Sequence, residues 1–139
     1  MKLIINNKEY EIEYGTEAAY SPAAIETTAR LVLENAIKAV SIKNMISFMA
    51  SVPRATLTLF HAGLLEHHGE NGDGTIRNEK DAKKLLKIYF AENPDNSFTD
   101  LLSELVKQIG VDGFIEKTAV LGFLKGEKLV SEEAEPAAE

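Results

Sequence analysis

The chain contains no cysteine, which excludes a disulfide framework and any chemistry that depends on a thiolate. It also lacks an apolar run near the roughly 18 residues needed to cross a bilayer. The N-terminus alternates apolar and polar residues, unlike the continuous apolar core of a signal peptide. These absences predict a soluble, intracellular protein with no membrane partner, and a reducing cytosol is compatible with them.

Positive charge is scarce as well, because 15 Lys and Arg residues stand against 22 Asp and Glu, for a formal net charge of -7. Non-specific binding to nucleic acid depends on clustered basic residues that neutralise phosphates, so we expect no nucleic-acid partner. The 45% apolar and 27% charged residues are typical of a globular protein. A chain of 139 residues is long enough for one domain with a substantial core.

The first 15 residues have the pattern of a β-hairpin. Asn6 and Asn7 can adopt the positive φ angles of a two-residue turn, which places Leu3 opposite Tyr10. The alternating apolar residues are Leu3, Ile5, Tyr10, Ile12 and Tyr14, and the glutamates of the other face are Glu9, Glu11 and Glu13. Because a two-stranded ribbon is marginal alone, it must pack on helices or pair with another chain.

Helical periodicity begins after the hairpin. Ser21 followed by Pro22 has the form of an N-cap and a proline at the first helical position. A short apolar segment at residues 45–49 comes next. Pro53 is then predicted to open a third helix, which ends at Gly69.

The second half of the chain has the clearest helical stripes. Asn78 is predicted to cap a fourth helix, and a fifth extends from Phe98 to Gly110. A weaker apolar segment follows at residues 114–124. We therefore predict a mainly α fold with a small β element (α+β), in which the N-terminal β-hairpin packs on a bundle of about five helices.

One globular domain is expected over residues 1–130, with the hairpin at 1–15 and the helices within 21–124. The last nine residues, "SEEAEPAAE", contain four glutamates and a proline but no large apolar side chain. Such a segment cannot bury enough apolar surface to offset its loss of conformational entropy. Residues 131–139 are therefore predicted to form a disordered acidic tail.

The stretch "HHGENGDGTIRNEK" raises the possibility of an EF-hand calcium loop. With Gly74 as the turn glycine, Asn71 and Asp73 fall on ligand positions 3 and 5. The ends of the loop fail, because position 1 is a glycine and Arg77 and Lys80 occupy positions 9 and 12. Two cations beside a divalent ion are strongly repelled. We predict a connection between helices that binds no calcium, with an EF-hand-like calcium-responsive module as the alternative.

No catalytic constellation is evident in the sequence. His67 and His68 are neighbours, which point about 100° apart on a helix, and neither forms the i, i+4 pair of a helical zinc site with His61. We interpret these histidines as surface residues. The chain has no nucleophile elbow, and its glycines follow neither phosphate-binding order. We expect a protein that is not an enzyme, with no catalytic, cofactor-binding or metal-ligating residue and no cofactor.

The hairpin "MKLIINNKEYEIEYG", the helix "PRATLTLFHAGLLEHH", the linker "GENGDGTIRNEKDAKKLL" and the run "FTDLLSELVKQIGVDGF" occur in this order. In this order the chain resembles the tail assembly chaperones of long-tailed bacteriophages, which include prophage tail assembly proteins. The resemblance covers residues 1–15 and roughly residues 42–114. These signatures are patterns of residue type and contain no catalytic motif.

The resemblance implies a non-enzymatic chaperone in the cytoplasm of the bacterial host. Its expected partner is the phage tape-measure protein, which it would coat before the tail tube polymerises, with the major tail protein as a second partner. A longer, frameshifted form is also common in that family. The alternative function is that of another small structural or regulatory phage protein. Whether the protein forms a homo-oligomer is left open.

Partner binding is expected to use exposed helix faces, since five apolar stripes and a hairpin exceed what a domain of this size encloses. An amphipathic partner helix could bury its own stripe there, while the negative charge keeps the free protein in solution. The candidate contacts are Phe114, Phe123 and Leu124. In the alternative interpretation, this segment only closes the core.

Overall fold

A computed structural model of the protein describes residues 1–37 and 42–118, with side chains for residues 1–32 and 45–118. It is mainly helical, with an N-terminal hairpin, which confirms the predicted α+β fold. The elements are β1 (Lys2–Ile5), β2 (Lys8–Glu11), α1 (Thr16–Ala19), α2 (Pro22–Ile37), α3 (Ile42–His68), α4 (Glu79–Glu92), α5 (Phe98–Val111) and α6 (Phe114–Lys117). Across these residues, no helix is both long enough and apolar enough to span a bilayer.

The hairpin forms in the predicted register. Leu3 pairs with Tyr10 in an antiparallel ladder, and Asn6 and Asn7 have φ angles of 53° and 63°. Two successive residues with positive φ give a turn whose twist matches that of the strands, and asparagine tolerates this conformation well. The local sequence is therefore sufficient to set the register.

Helix α3 is the centre of the fold, because α1, α2, α4, α5 and β2 all contact it. Its inward face carries large buried side chains such as Leu59, Phe60 and Leu64. Tyr14 enters this core from the hairpin: its hydroxyl donates to the Leu59 carbonyl oxygen at 2.7 Å, and its ring centroid lies 5.7 Å from that of Phe114. The hairpin is therefore part of the core.

The predicted break before Pro53 is wrong, because α3 continues through this proline. A proline inside a helix removes one N–H donor and crowds the preceding turn, which costs about 3 kcal/mol. The Pro53 ring is exposed, while Val52, Ala55 and Thr56 are buried on the inward face. Packing on both sides of the proline thus holds one helix where the local sequence indicates two.

The predicted helix starts at Ser21 and Asn78 are confirmed. The Ser21 hydroxyl accepts from the Ala24 N–H at 3.2 Å, and the Asn78 side chain accepts from the Asp81 N–H at 2.9 Å. The one-turn helices α1 and α6 were not predicted as separate elements. Helix α5 extends one residue beyond Gly110 and is followed by a left-handed glycine at position 113.

Candidate functional site

An open apolar groove of about 730 Å³ lies between α3 and α4 and is bounded by the first residue of α5. Its apolar lining includes Leu57, Leu86, Phe90 and Phe98. Helix α4 turns one side towards the core, and Phe90, at the edge of that side, is only half-buried. The groove therefore forms where the apolar stripe of α4 extends beyond the area that α3 covers.

Aromatic contacts fix the shape of the groove. The ring centroids of Phe90 and Phe98 are 4.6 Å apart, and those of Tyr89 and Phe90 are 5.3 Å apart in an edge-to-face arrangement. The Tyr89 hydroxyl accepts a hydrogen bond from the Asn96 side-chain amide at 2.7 Å, which links the loop before α5 to α4. Phe98 is still 37% exposed, so this wall presents an aromatic face to a ligand.

The rim of the groove is basic in a chain of net charge -7. Its cations are Arg54, Lys80, Lys83, Lys84 and Lys87. The four lysines recur at i, i+3, i+4 and i+7, so they form one face of α4. Arg54 is paired with Glu79 at 2.6 Å, whereas none of the four lysines makes a salt bridge to any residue that the structure describes.

The loop with partial EF-hand spacing is held together by its own side chains. The Asp73 carboxylate accepts from the hydroxyl and the backbone N–H of Thr75, the latter at 2.9 Å. It also meets His68 Nδ1 at 2.9 Å and Lys8 Nζ at 3.2 Å. These hydrogen bonds, above all that from the Thr75 hydroxyl, lower the pKa of Asp73 far below its usual range.

Other polar side chains of the loop also have hydrogen-bond partners. The Asn71 side-chain amide donates to Glu17 on α1. Arg77 hydrogen-bonds Asp81 through both its backbone N–H and its side chain. Because the Asp73 carboxylate is engaged by Thr75, His68 and Lys8, and the Asn71 side chain is bonded to Glu17 on α1, these contacts disfavour an EF-hand ion.

The interpretation of the histidines as surface residues is wrong for His68, which is only 6% exposed. Its Nε2 accepts from the backbone N–H of Glu11 at 2.9 Å, so Nδ1 carries the proton and donates to Asp73. His68 therefore joins the hairpin to the loop. Sequence spacing could not reveal this role, since the strand that buries the ring lies 57 residues earlier.

His67 and His61 occupy different surroundings. His67 is partly exposed and lies against Glu13 and Glu11; the hydrogen bond to Glu13 is the main reason that its pKa is raised. The Nε2 atom of His61 is buried without a hydrogen-bond partner among the described residues. Burial lowers the pKa of His61, and the carboxylates of Glu79 and Asp81 oppose this effect.

Of the residues predicted to bind a partner, the structure describes only Phe114, which does not line the groove. Phe114 is fully buried against Tyr14, so in this structure its ring closes the core and is not available to a partner. Phe123 and Leu124 lie outside the described residues, as does the predicted tail at 131–139. The lysine spacing in "KDAKKLLK" could have indicated the basic rim, but it is also typical of a solvated helix face.

Comparisons of the chain with protein-family models, with curated proteins and with solved structures find no match. The function is therefore inferred from the geometry and charge of the groove, together with the order of elements along the sequence.

Proposed function

We propose that this protein is a non-enzymatic assembly chaperone that holds an amphipathic helix of a longer helical partner in the groove between α3 and α4. The observation that carries the proposal is an aromatic-lined groove whose four rim lysines make no salt bridge within the described residues. The resemblance to phage tail assembly chaperones identifies the tape-measure protein as the expected partner.

The size of the groove suits one helix of a partner. Helix α4 has 14 residues, which at 1.5 Å per residue corresponds to about 21 Å. A partner helix of roughly four turns would place apolar residues at i, i+3 or i+4 and i+7 along this length. Each large side chain that becomes fully buried contributes about 1.5–3 kcal/mol, before the cost of ordering both partners.

The lysine rim favours a partner helix with Asp or Glu beside its apolar stripe. Lys80, Lys83, Lys84 and Lys87 all lie on one side of the groove's apolar lining. Complementary charge on a rim mainly raises the association rate and fixes the orientation of the helix. The acidic remainder of the surface would disfavour the same helix elsewhere.

The groove supports binding more than catalysis. Its ionisable lining residues are one arginine and four lysines, and no carboxylate or imidazole of the described residues lines it. Acid–base catalysis at neutral pH usually needs such a group, or a lysine desolvated by burial. These four lysines are exposed, so they are suited to attract anionic groups.

The proposal is tested by searching the neighbouring genes for one that encodes a long helical protein and co-expressing that protein with this chain. Ala50 is exposed and lines the groove, so Ala50→Arg should obstruct it without altering the core. Ala91 is also exposed and helical but does not line the groove, so Ala91→Arg is the matched control. We expect the wild type and Ala91→Arg to keep the partner in solution and Ala50→Arg to lose it.

A charge reversal provides a second test. Lys83→Glu with Lys87→Glu should slow association, and the difference from the wild type should shrink in high salt because exposed charges are screened. Reversal of Lys2 and Lys117, which do not line the groove, is the control. If folded Ala50→Arg protein retains the partner, the groove is not the binding surface. If no long helical protein is encoded nearby, the tail-assembly role fails.

A further inference from the structure

Three metal-ligating side chains meet where the hairpin crosses the end of α3. His67 Nε2 lies 2.8 Å from Glu13 Oε1 and 3.3 Å from Glu11 Oε2. One ligand atom from each of the three residues lies within 4.8 Å of the others. This cluster shares no residue with the groove between α3 and α4.

The fold holds the two glutamates in place through their backbone. Glu11 is the last residue of β2 and Glu13 follows it by two positions, and both carboxylates reach the same nitrogen of His67. The Glu11 N–H donates to His68 Nε2 at 2.9 Å, and the Glu13 N–H donates to the Gly63 carbonyl oxygen at 2.9 Å. The backbone at Glu11 and Glu13 is thus hydrogen-bonded to α3 at two points, His68 and Gly63.

Helix α3 places His67 beside the two hydrogen bonds that hold Glu11 and Glu13. His67 is four residues after Gly63, about one helical turn along the same face of α3. The two anchor bonds therefore bring an imidazole nitrogen and two carboxylates together from elements that are distant in sequence. Only modest side-chain rotation is needed to alter their spacing, because the three side chains are 39%, 38% and 41% exposed.

We propose that His67, Glu11 and Glu13 bind a zinc ion, which ties the hairpin to the C-terminal end of α3. One imidazole and two carboxylates are ligand types that Zn²⁺ accepts, with water completing the tetrahedron. Bond lengths of about 2.0–2.2 Å imply ligand atoms about 3.3 Å apart in a tetrahedral site. The His67 to Glu11 distance already equals this value, and the His67 to Glu13 distance needs to widen by a few tenths of an ångström.

The local charge also favours a divalent cation. The two carboxylates give the cluster a negative charge that one imidazole does not fully offset in either protonation state, and the Glu66 carboxylate also acts electrostatically on His67. Exposure of the side chains leaves room for water ligands and for metal entry. A bound ion would stabilise the folded state, since the unfolded chain does not hold these three ligands together.

The test is calorimetric titration of the untagged, full-length protein with zinc chloride at neutral pH. We expect one saturable site and a rise in melting temperature with zinc. His67→Gln and Glu13→Gln should each weaken binding by about tenfold or more, because changes even to outer-shell partners of metal sites cost that much. Glu9→Gln is the control. Glu9 is an exposed glutamate of β2, the strand that also carries Glu11, and it lies near Lys2 and outside the cluster.

Nuclear magnetic resonance adds a readout that locates the ion. Zinc should shift the imidazole nitrogen resonances of His67 in the wild type, and this shift should be clearly smaller in Glu13→Gln at the same subsaturating zinc concentration. Lack of saturable binding overturns the proposal and leaves an ordinary ion pair. Equal zinc affinity in His67→Gln, Glu13→Gln and the wild type, with all three folded by circular dichroism, also overturns it and places any ion elsewhere on the chain.

Discussion

Gly63 of α3 lies directly against Ile12 of the hairpin. A Cβ atom placed on Gly63 would lie 2.5 Å from the Ile12 Cγ2 atom and 3.1 Å from the Tyr14 ring carbon Cζ. The Gly63 carbonyl oxygen also accepts the Glu13 N–H at 2.9 Å. The hairpin therefore docks on exposed helix backbone, and this contact holds Glu13 close to His67.

Gly63→Ala should destabilise the protein by about 1–3 kcal/mol, because the added methyl group overpacks a tight contact. Gly110→Ala is the matched control: a methyl group added to this helical glycine would have no neighbour within 4 Å, so alanine should stabilise by roughly 0.5–1 kcal/mol. Urea unfolding measures both. A neutral or stabilising effect of Gly63→Ala would show that the hairpin is free to shift away from α3.

A chain that begins at Gly15 should be less soluble and should associate. Removal of the hairpin exposes the core residues Leu59 and Phe114, which Tyr14 contacts, together with the α3 surface at Gly63. Size-exclusion chromatography and chemical unfolding measure the outcome. If the shortened chain is monomeric and as stable as the parent, the hairpin does not contribute to the core.

The stability of the protein should depend on pH through His61. Burial lowers the folded-state pKa of this residue below its ordinary value of 6.5, so the unfolded chain takes up the proton more readily. The contribution of His61 is therefore fully present above about pH 6.5 and is lost as the pH falls below that value towards the folded-state pKa.

The measurement compares melting temperatures at about pH 7.5 and about pH 5.5. The decrease in melting temperature from about pH 7.5 to about pH 5.5 should be smaller in both His61→Leu and His61→Gln than in the wild type, because neither replacement side chain titrates in this range. Use of two replacements separates loss of the proton from changes in packing. Equal decreases in all three proteins would mean that His61 does not contribute to the pH dependence.

The loop at residues 67–80 should bind no calcium at physiological concentration, since Asp73 is already engaged by Thr75, His68 and Lys8. Calorimetry with calcium chloride should show no saturable heat. A dissociation constant below about 10⁻⁴ M, the weak end of the range for extracellular calcium modules, contradicts this. Asp73→Asn should still lower stability by about 1 kcal/mol, because it weakens several hydrogen bonds.

Local sequence determined the elements whose physical causes are short-range. Asn6 and Asn7 set the turn and hence the pairing of Leu3 with Tyr10. Ser21 and Asn78 each accept an N–H from the first turn of the helix that follows. Such caps and turns act over two to four residues, so they can be predicted without knowledge of the fold.

Tertiary packing decided what local patterns could not. Pro53 marks a helix start by local rules, yet burial of Val52 and Ala55 keeps α3 continuous. The apolar groove needs α3 and α4 to pack side by side, although the lysine spacing along α4 is visible in the sequence. His67 and Glu13 are 54 residues apart, and periodicity along one element carries no information about a side chain supplied by another. Only the docking of the hairpin at Gly63 brings these two side chains together.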